Sequence, residues 1–308
     1  MKRLQNRIAE SGIILPVAAV YTVVIWLLAG LVVHNWWPQL VCMGASAYLF
    51  VEISNSNALL RVRSRMVTTT FLFLSCLYPE GFGSFSDAFT QLGFITSILL
   101  LFNTYQDKLS MGKVFYAFLC IGLCSLLFVQ SLFLVPVLWL LMETQLQSLS
   151  VRTLLASLFG IIAPYWFLAL WFIYIQDFTL VEQHFALLGS FEFPFDYSQV
   201  TPGQVLIFAF VLILSVSGII HFWNNSYEDK IRIRMLYGFF TIITLLVLLF
   251  IALQPQFFNP LIRIVFICAS PLVAHLLTLT STRITNIAFF VILAACLFIT
   301  VFNLWTLL

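Results

Sequence analysis

Few side chains in this sequence could do chemistry, and their types narrow what that chemistry would be. Across 308 residues there are 12 acids, 14 lysines and arginines, and 4 histidines. The carboxylates Glu80, Asp87, Glu192 and Asp196 lie between apolar runs. They are the candidate acids and bases, although their spacing fixes neither a metal site nor an acid–base pair. His184 shares a polar segment with Glu192 and Asp196. His275 follows Pro271 by one helical turn. The proline removes a backbone donor and leaves the Ile267 carbonyl without its usual helical partner. A kink beside an imidazole could line a substrate path or make an interhelical hydrogen bond. Arg263 lies in the same apolar run, where a guanidinium could snorkel to the boundary, hold an anionic headgroup or meet an outer carboxylate. Arg61, Arg63 and Arg65 alternate through the polar stretch 54–66, a pattern that attracts anionic lipid headgroups.

No phosphate-binding GxxxxGK[ST], no HExxH, no GxSxG and no CxxC occurs. The six cysteines all sit in apolar runs. Cys120 and Cys124, one turn apart, have no accompanying histidines that would complete a metal set. Neither a cofactor nor a metal is expected. A net charge of +2 with no basic, aromatic-interleaved stripe argues against nucleic acid.

The elements that must carry these residues are membrane helices. The chain is 62% hydrophobic and 8% charged, against about 25% charged in soluble proteins. A span needs about 20 apolar residues. Segments 13–33, 88–104, 153–176, 203–222, 235–253, 260–279 and 284–306 meet that length, and 38–53 and 67–79 are shorter candidates. Segment 114–142 is too long for one span, and Phe128-Val129-Gln130-Ser131 at its centre marks a turn. Lysine and arginine collect on the cytoplasmic side of short loops. Splitting 114–142 into a hairpin, with the N-terminus inside, puts 13 of the 14 basic residues on that side and leaves only Arg263 outside. The expected fold is therefore an all-α polytopic bundle of about eleven spans, one transmembrane domain over residues 1–308. Its N-terminus is cytoplasmic and its C-terminus periplasmic, in a bacterial inner membrane. The run 13–33 is read as a retained first span rather than a cleaved leader.

The longest outer segment, 177–202, holds four acids and no lysine or arginine. Thr179 and Glu182 have capping-box spacing, and Phe178, Val181, Phe185 and Leu188 form an apolar stripe. A short interfacial helix is predicted, either a lid over an outward cavity or a solvated connector. In the seventh span, Ala156 and Gly160 form a small-xxx-small step that permits close helix approach.

The order of Tyr78-Pro79, Asn103-Thr104-Tyr105-Gln106, FLCIGLCSLL (118–127), the Pro136 hairpin, LLASLFGIIAPYWF (154–167) and SPLVAHLLTLTSTRITNIAFF (270–290) resembles an uncharacterised family of multi-spanning inner-membrane proteins of Bacteroidota. The hairpin is also faintly similar to the membrane domains of GT-C glycosyltransferases. Those enzymes use polyprenyl-phosphate sugars and carry an acid in a sizeable first outer loop. Here that loop, His34-Asn35-Trp36-Trp37-Pro38, has none, and the nearest outer acids are Glu80 and Asp87. Three functions follow as expectations. The leading one is a non-catalytic subunit or scaffold of a cell-envelope assembly, with the bilayer and membrane proteins as partners. The second is a GT-C-like transferase whose acids are Glu80, Asp87, Glu192 or Asp196, with Arg263 clamping the pyrophosphate of a lipid ligand. The third is a small-molecule or lipid transporter with a mid-membrane cavity reached by His275 or Gln130.

Overall fold

The computed structural model describes residues 3–176, 179–191, 197–198 and 200–307. Thirteen α-helices and five short 3-10 turns make up its regular structure, with no strand among the described residues. In order the helices are α1 (Leu4–Glu10), α2 (Ile14–Leu28), α3 (Trp37–Asn57), α4 (Met66–Ser75), α5 (Phe85–Phe102), α6 (Met111–Leu127), α7 (Leu134–Thr144), α8 (Val151–Ile175), α9 (Thr179–Ala186), α10 (Pro202–Asn225), α11 (Ile231–Leu253), α12 (Phe258–Leu279) and α13 (Arg283–Leu307).

Six of these, α5, α8, α10, α11, α12 and α13, are long and apolar enough to cross a membrane; α1 and α2, bent by 83°, add a seventh if the pair is one span. The chain is a helical membrane protein. Each of the eleven segments expected from the sequence contains a helix, but five of those helices fall short of that measure. Helix α3 has the length and loses apolarity over Glu52 to Asn57. Helices α4 and α7, of 10 and 11 residues, give way to 3-10 turns at Pro79–Gly83 and Val129–Phe133. At about 1.5 Å per residue they cannot bridge a hydrocarbon core of about 30 Å by themselves. Irregular backbone at depth is tolerated where protein covers it, and Pro79, Gly81, Phe82, Val129, Gln130 and Ser131 are all buried.

The 114–142 stretch folds back on itself. Helix α6 ends at Leu127, and α7 returns to the loop from which α6 began. There the Gln106 N–H donates to the Leu146 carbonyl at 2.8 Å, and the Ser150 hydroxyl donates to the Lys108 carbonyl at 3.0 Å. The remaining loops also sort into two sets by their hydrogen bonds. In the first, Gln5 donates to the Leu277 carbonyl (2.6 Å), Arg232 to Asn57 (2.7 Å) and Tyr237 to the Leu59 carbonyl (3.3 Å). In the second, Gln39 donates to the Gly83 carbonyl (3.0 Å), Tyr78 to Asn259 (2.7 Å) and Asn303 to the Leu77 carbonyl (2.8 Å). Every described lysine and arginine except Arg263 lies in or beside the first set.

Helix α12 is the axis. Of its 22 residues, 19 are buried, and α4, α5, α10 and α11 pack around it. Helix α8 is the opposite case: only Thr153, Ser157, Gly160 and Pro164 are buried. That stripe of small residues recurs at steps of four, three and four, and it faces α6. The opposite face exposes Phe159, Trp166, Phe167 and Trp171. Large side chains outward and small ones inward is how a helix packs when lipid is the solvent. A Cβ built on Gly160 would lie 2.5 Å from the Phe115 carbonyl oxygen, whereas one built on Gly112 meets nothing within 4 Å. Gly160→Ala should therefore destabilise the α6–α8 pair by about 1–3 kcal/mol, and Gly112→Ala should leave stability unchanged or slightly raised. Thermal unfolding of the two variants in one detergent measures the difference.

Candidate functional site

Helix α12 carries both ionisable residues singled out within the apolar runs, Arg263 near its start and His275 near its end. Pro271 does not leave the Ile267 carbonyl orphaned, because the Ser270 hydroxyl donates to it at 3.0 Å. The helix continues through the proline to Leu279.

His275 is fully buried and belongs to a chain of polar groups at the basic end of the bundle. Its Nε2 lies 3.3 Å from Oδ2 of Asp229, a carboxylate whose side chain is 1% exposed. Its Nδ1 lies 3.1 Å from Nδ1 of His221 on α10. The other oxygen of Asp229 accepts from Nε of Arg61 at 2.6 Å. Arg61 also pairs with Glu228 and donates to the Asn225 carbonyl at 2.8 Å. The two carboxylates raise the affinity of the Arg61 guanidinium for its proton, Asp229 most. Phe222 and Tyr237 wall the imidazole of His275, with ring centroids 5.4 and 5.2 Å away.

A neutral His275 satisfies both of its contacts. It donates Nε2–H to the Asp229 carboxylate, and its bare Nδ1 accepts Nδ1–H from His221. Nε2 of His221, which is only half-buried, is then the end of the relay. The sequence points to His275 but not to Asp229 or His221. Asp229 looks like an ordinary loop acid, 46 residues from its partner. The available signal was positional, since His221 and His275 lie near the ends of their expected spans and Asp229 lies in the loop that follows the first of them.

At the opposite end the structure places Arg263 inside the bundle rather than at the lipid boundary. It is 7% exposed and donates from Nη2 to the Gly81 carbonyl of the Pro79–Gly83 turn. Asp87, buried in the first turn of α5, is close enough for its charge to act on Arg263. Glu80, on the same turn as Gly81, is exposed, and its partial burial lifts its carboxyl above the ordinary carboxylate pKa. Glu80, Asp87 and Arg263 are thus gathered around one turn. The cavity beside Arg263, enclosed by Trp26, Met43, Tyr78, Phe82, Gln91 and Phe266, measures about 10 Å³, the size that holds one water. Glu192 and Asp196 lie outside the described residues.

His184 is on α9, the helix expected over the outer segment. Its Nε2 lies 3.5 Å from the Tyr165 hydroxyl, which is 2.7 Å from Oγ of Ser125. Tyr165 and His184 line a largely apolar cavity of about 460 Å³ between α6, α8 and α9. Burial lowers the pKa of His184 below its ordinary value, against a smaller opposing effect from Ser125. Gln130 does not reach a central cavity: its amide donates to the Leu187 carbonyl at 3.1 Å, at the end of the molecule away from His275. Arg61 is spent on Asp229 and Glu228, whereas Arg63 and Arg65 have no ion pair among the described residues. No group of three or more His, Cys, Asp or Glu among the described residues is placed to hold a metal.

Comparison of the chain with family models, with curated proteins and with solved structures finds no match. The site must be read from its own geometry.

Removing one member of a buried pair strands the other, at about 3–5 kcal/mol, whereas an exposed pair contributes at most about 1 kcal/mol. Asp229→Asn should lower stability by about 3 kcal/mol and Glu228→Gln by less than about 1 kcal/mol, although both acids touch Arg61. Unfolding midpoints in detergent at neutral pH separate the two.

Proposed function

We propose that this chain is a non-catalytic subunit or scaffold of a cell-envelope assembly in a bacterial inner membrane. One observation carries the reading: the ionisable and amide side chains drawn inside the bundle are largely spent on one another and on backbone carbonyls. Asp229 joins Arg61 to His275, Arg263 holds the Gly81 carbonyl and Gln130 holds the Leu187 carbonyl. The first two ties fix a loop or turn to α12, and the third joins two 3-10 turns. Rigid loops with consumed polar groups suit a protein that presents surfaces more than one that turns over a substrate. Purification in mild detergent should bring down membrane partners in fixed stoichiometry. A chain that purifies alone, and in liposomes carries protons in a manner lost on His221→Gln, would instead be the transporter that the Asp229–His275–His221 relay allows.

The proposed topology has all eleven passes, the N-terminus inside and the C-terminus outside. The gathering of the described lysines and arginines, except Arg263, at one loop set supports it, since that set is the side retained in the cytoplasm. In a cysteine-free background, Lys108→Cys should react with an impermeant maleimide only from the cytoplasmic side, and Tyr197→Cys only from the periplasmic side. Labelling of both from one side sinks the arrangement.

A further inference from the structure

Arg63 and Arg65 take no part in these ties, and they are not isolated on a flat surface. They line a cavity of about 710 Å³, the largest of those described, together with Ser54, Asn55, Ser64 and Ser11. The cavity forms where the chain breaks between α1 and α2, which meet at 83°. Its far wall is the turn after α3, where Ala58 adopts a left-handed conformation with φ of 48°. The Ser64 hydroxyl donates to the Ala9 carbonyl, which pins the arginine-bearing segment to α1.

We propose that this cavity binds the phosphate-bearing headgroup of an anionic phospholipid. Three observations and the chemistry of arginine converge on that ligand. Two guanidiniums without a carboxylate partner among the described residues line it. An arginine fork matches phosphate oxygens in pairs. Glu10 is the one acid among the lining residues, so the excess charge of the cavity is positive. Helix α4 starts directly after Arg65, so the positive end of its dipole adds to the attraction. The hydroxyls of Ser11 and Ser54 and the amide of Asn55 suit the glycerol of a phosphatidylglycerol headgroup.

The lipid source, rather than a free anion, follows from the other half of the lining. Leu15, Pro16, Leu60 and Val62 are apolar. From the same elbow an exposed stripe, Ile13, Val17, Val20 and Val24, descends α2 at steps of four, three and four. A headgroup in the cavity would lay its acyl chains along that stripe. Arg61, the first of the alternating arginines, takes no part because Asp229 and Glu228 hold it. The run therefore divides into one internal tie and two ligand-facing arginines.

The test is the thermal unfolding midpoint of the purified full chain in detergent. It is measured with added phosphatidylglycerol, with phosphatidylcholine of the same chain length, and with inorganic phosphate. Phosphatidylglycerol should raise the midpoint by several degrees, and the other two should not. Arg63→Gln with Arg65→Gln should abolish that rise while leaving the lipid-free midpoint near wild type, since neither side chain supports the fold. Arg63→Lys with Arg65→Lys should keep part of it. Arg61→Gln should lower the lipid-free midpoint yet keep the full rise. A rise that survives the double glutamine variant, an equal rise with phosphatidylcholine, or a full rise with inorganic phosphate alone would overturn the proposal.

Discussion

The whole structure answers to one constraint, that a helix with 19 of its 22 residues buried has no water with which to satisfy its polar groups. In hydrocarbon an unsatisfied group costs several kcal/mol, so the polar groups of α12 turn to its own backbone or to a neighbour, the buried Thr278 hydroxyl being an exception. Ser270 closes the carbonyl that Pro271 leaves open. Arg263 reaches across to the turn before α5. His275 takes Asp229 from the loop before α11 and His221 from α10. Those obligations, more than shape, decide which loops are drawn against the axis at each end.

The outer helices obey the complementary rule. Toward lipid there is no hydrophobic gain in burying leucine or phenylalanine, so contact is made by whatever allows backbones to come close. Gly160 on α8 meets the α6 backbone, and Gly218 on α10 meets Leu272 of α12 in the same way, with a built Cβ 2.9 Å from the Leu272 carbonyl. Trp139 on α7 then donates to Ser157 at 2.9 Å, a polar stitch inside the small-residue seam.

The features legible in the sequence were those set by apolar length and by charge. The reversal at Phe128 followed from a run too long for one span and from the side on which Arg152 and Lys230 had to lie, and a 3-10 turn stands there. The close approach at Gly160 was legible as a small residue in a span, but its expected companion Ala156 lies outside the buried seam, which runs through Thr153, Ser157, Gly160 and Pro164. The exact helix lengths were not legible, because α4 and α7 yield to 3-10 turns that only the surrounding packing can shelter. Nor was the Arg61–Asp229–His275–His221 chain legible. Each of its links spans 46 to 168 residues, and hydropathy treats Asp229 and its neighbour Glu228 alike, although one is sealed and the other half-exposed. The burial of Arg263 was hidden for the same reason: an arginine near a helix end reads as interfacial until the Gly81 carbonyl is seen above it.

The place of α12 in the chain has a consequence for biogenesis. The axis is residues 258–279, so the elements that surround it, α4, α5, α10 and α11, are all made first. At roughly 5–20 residues per second, more than ten seconds pass between the emergence of α1 and that of the helix that fills the centre. Until then α4, α5, α10 and α11 lack the helix they pack around. The early helices must wait in the bilayer as a loose, unlocked assembly. Closure is therefore a late event in synthesis, and a nascent chain arrested before α12 would be the form most open to quality-control proteases.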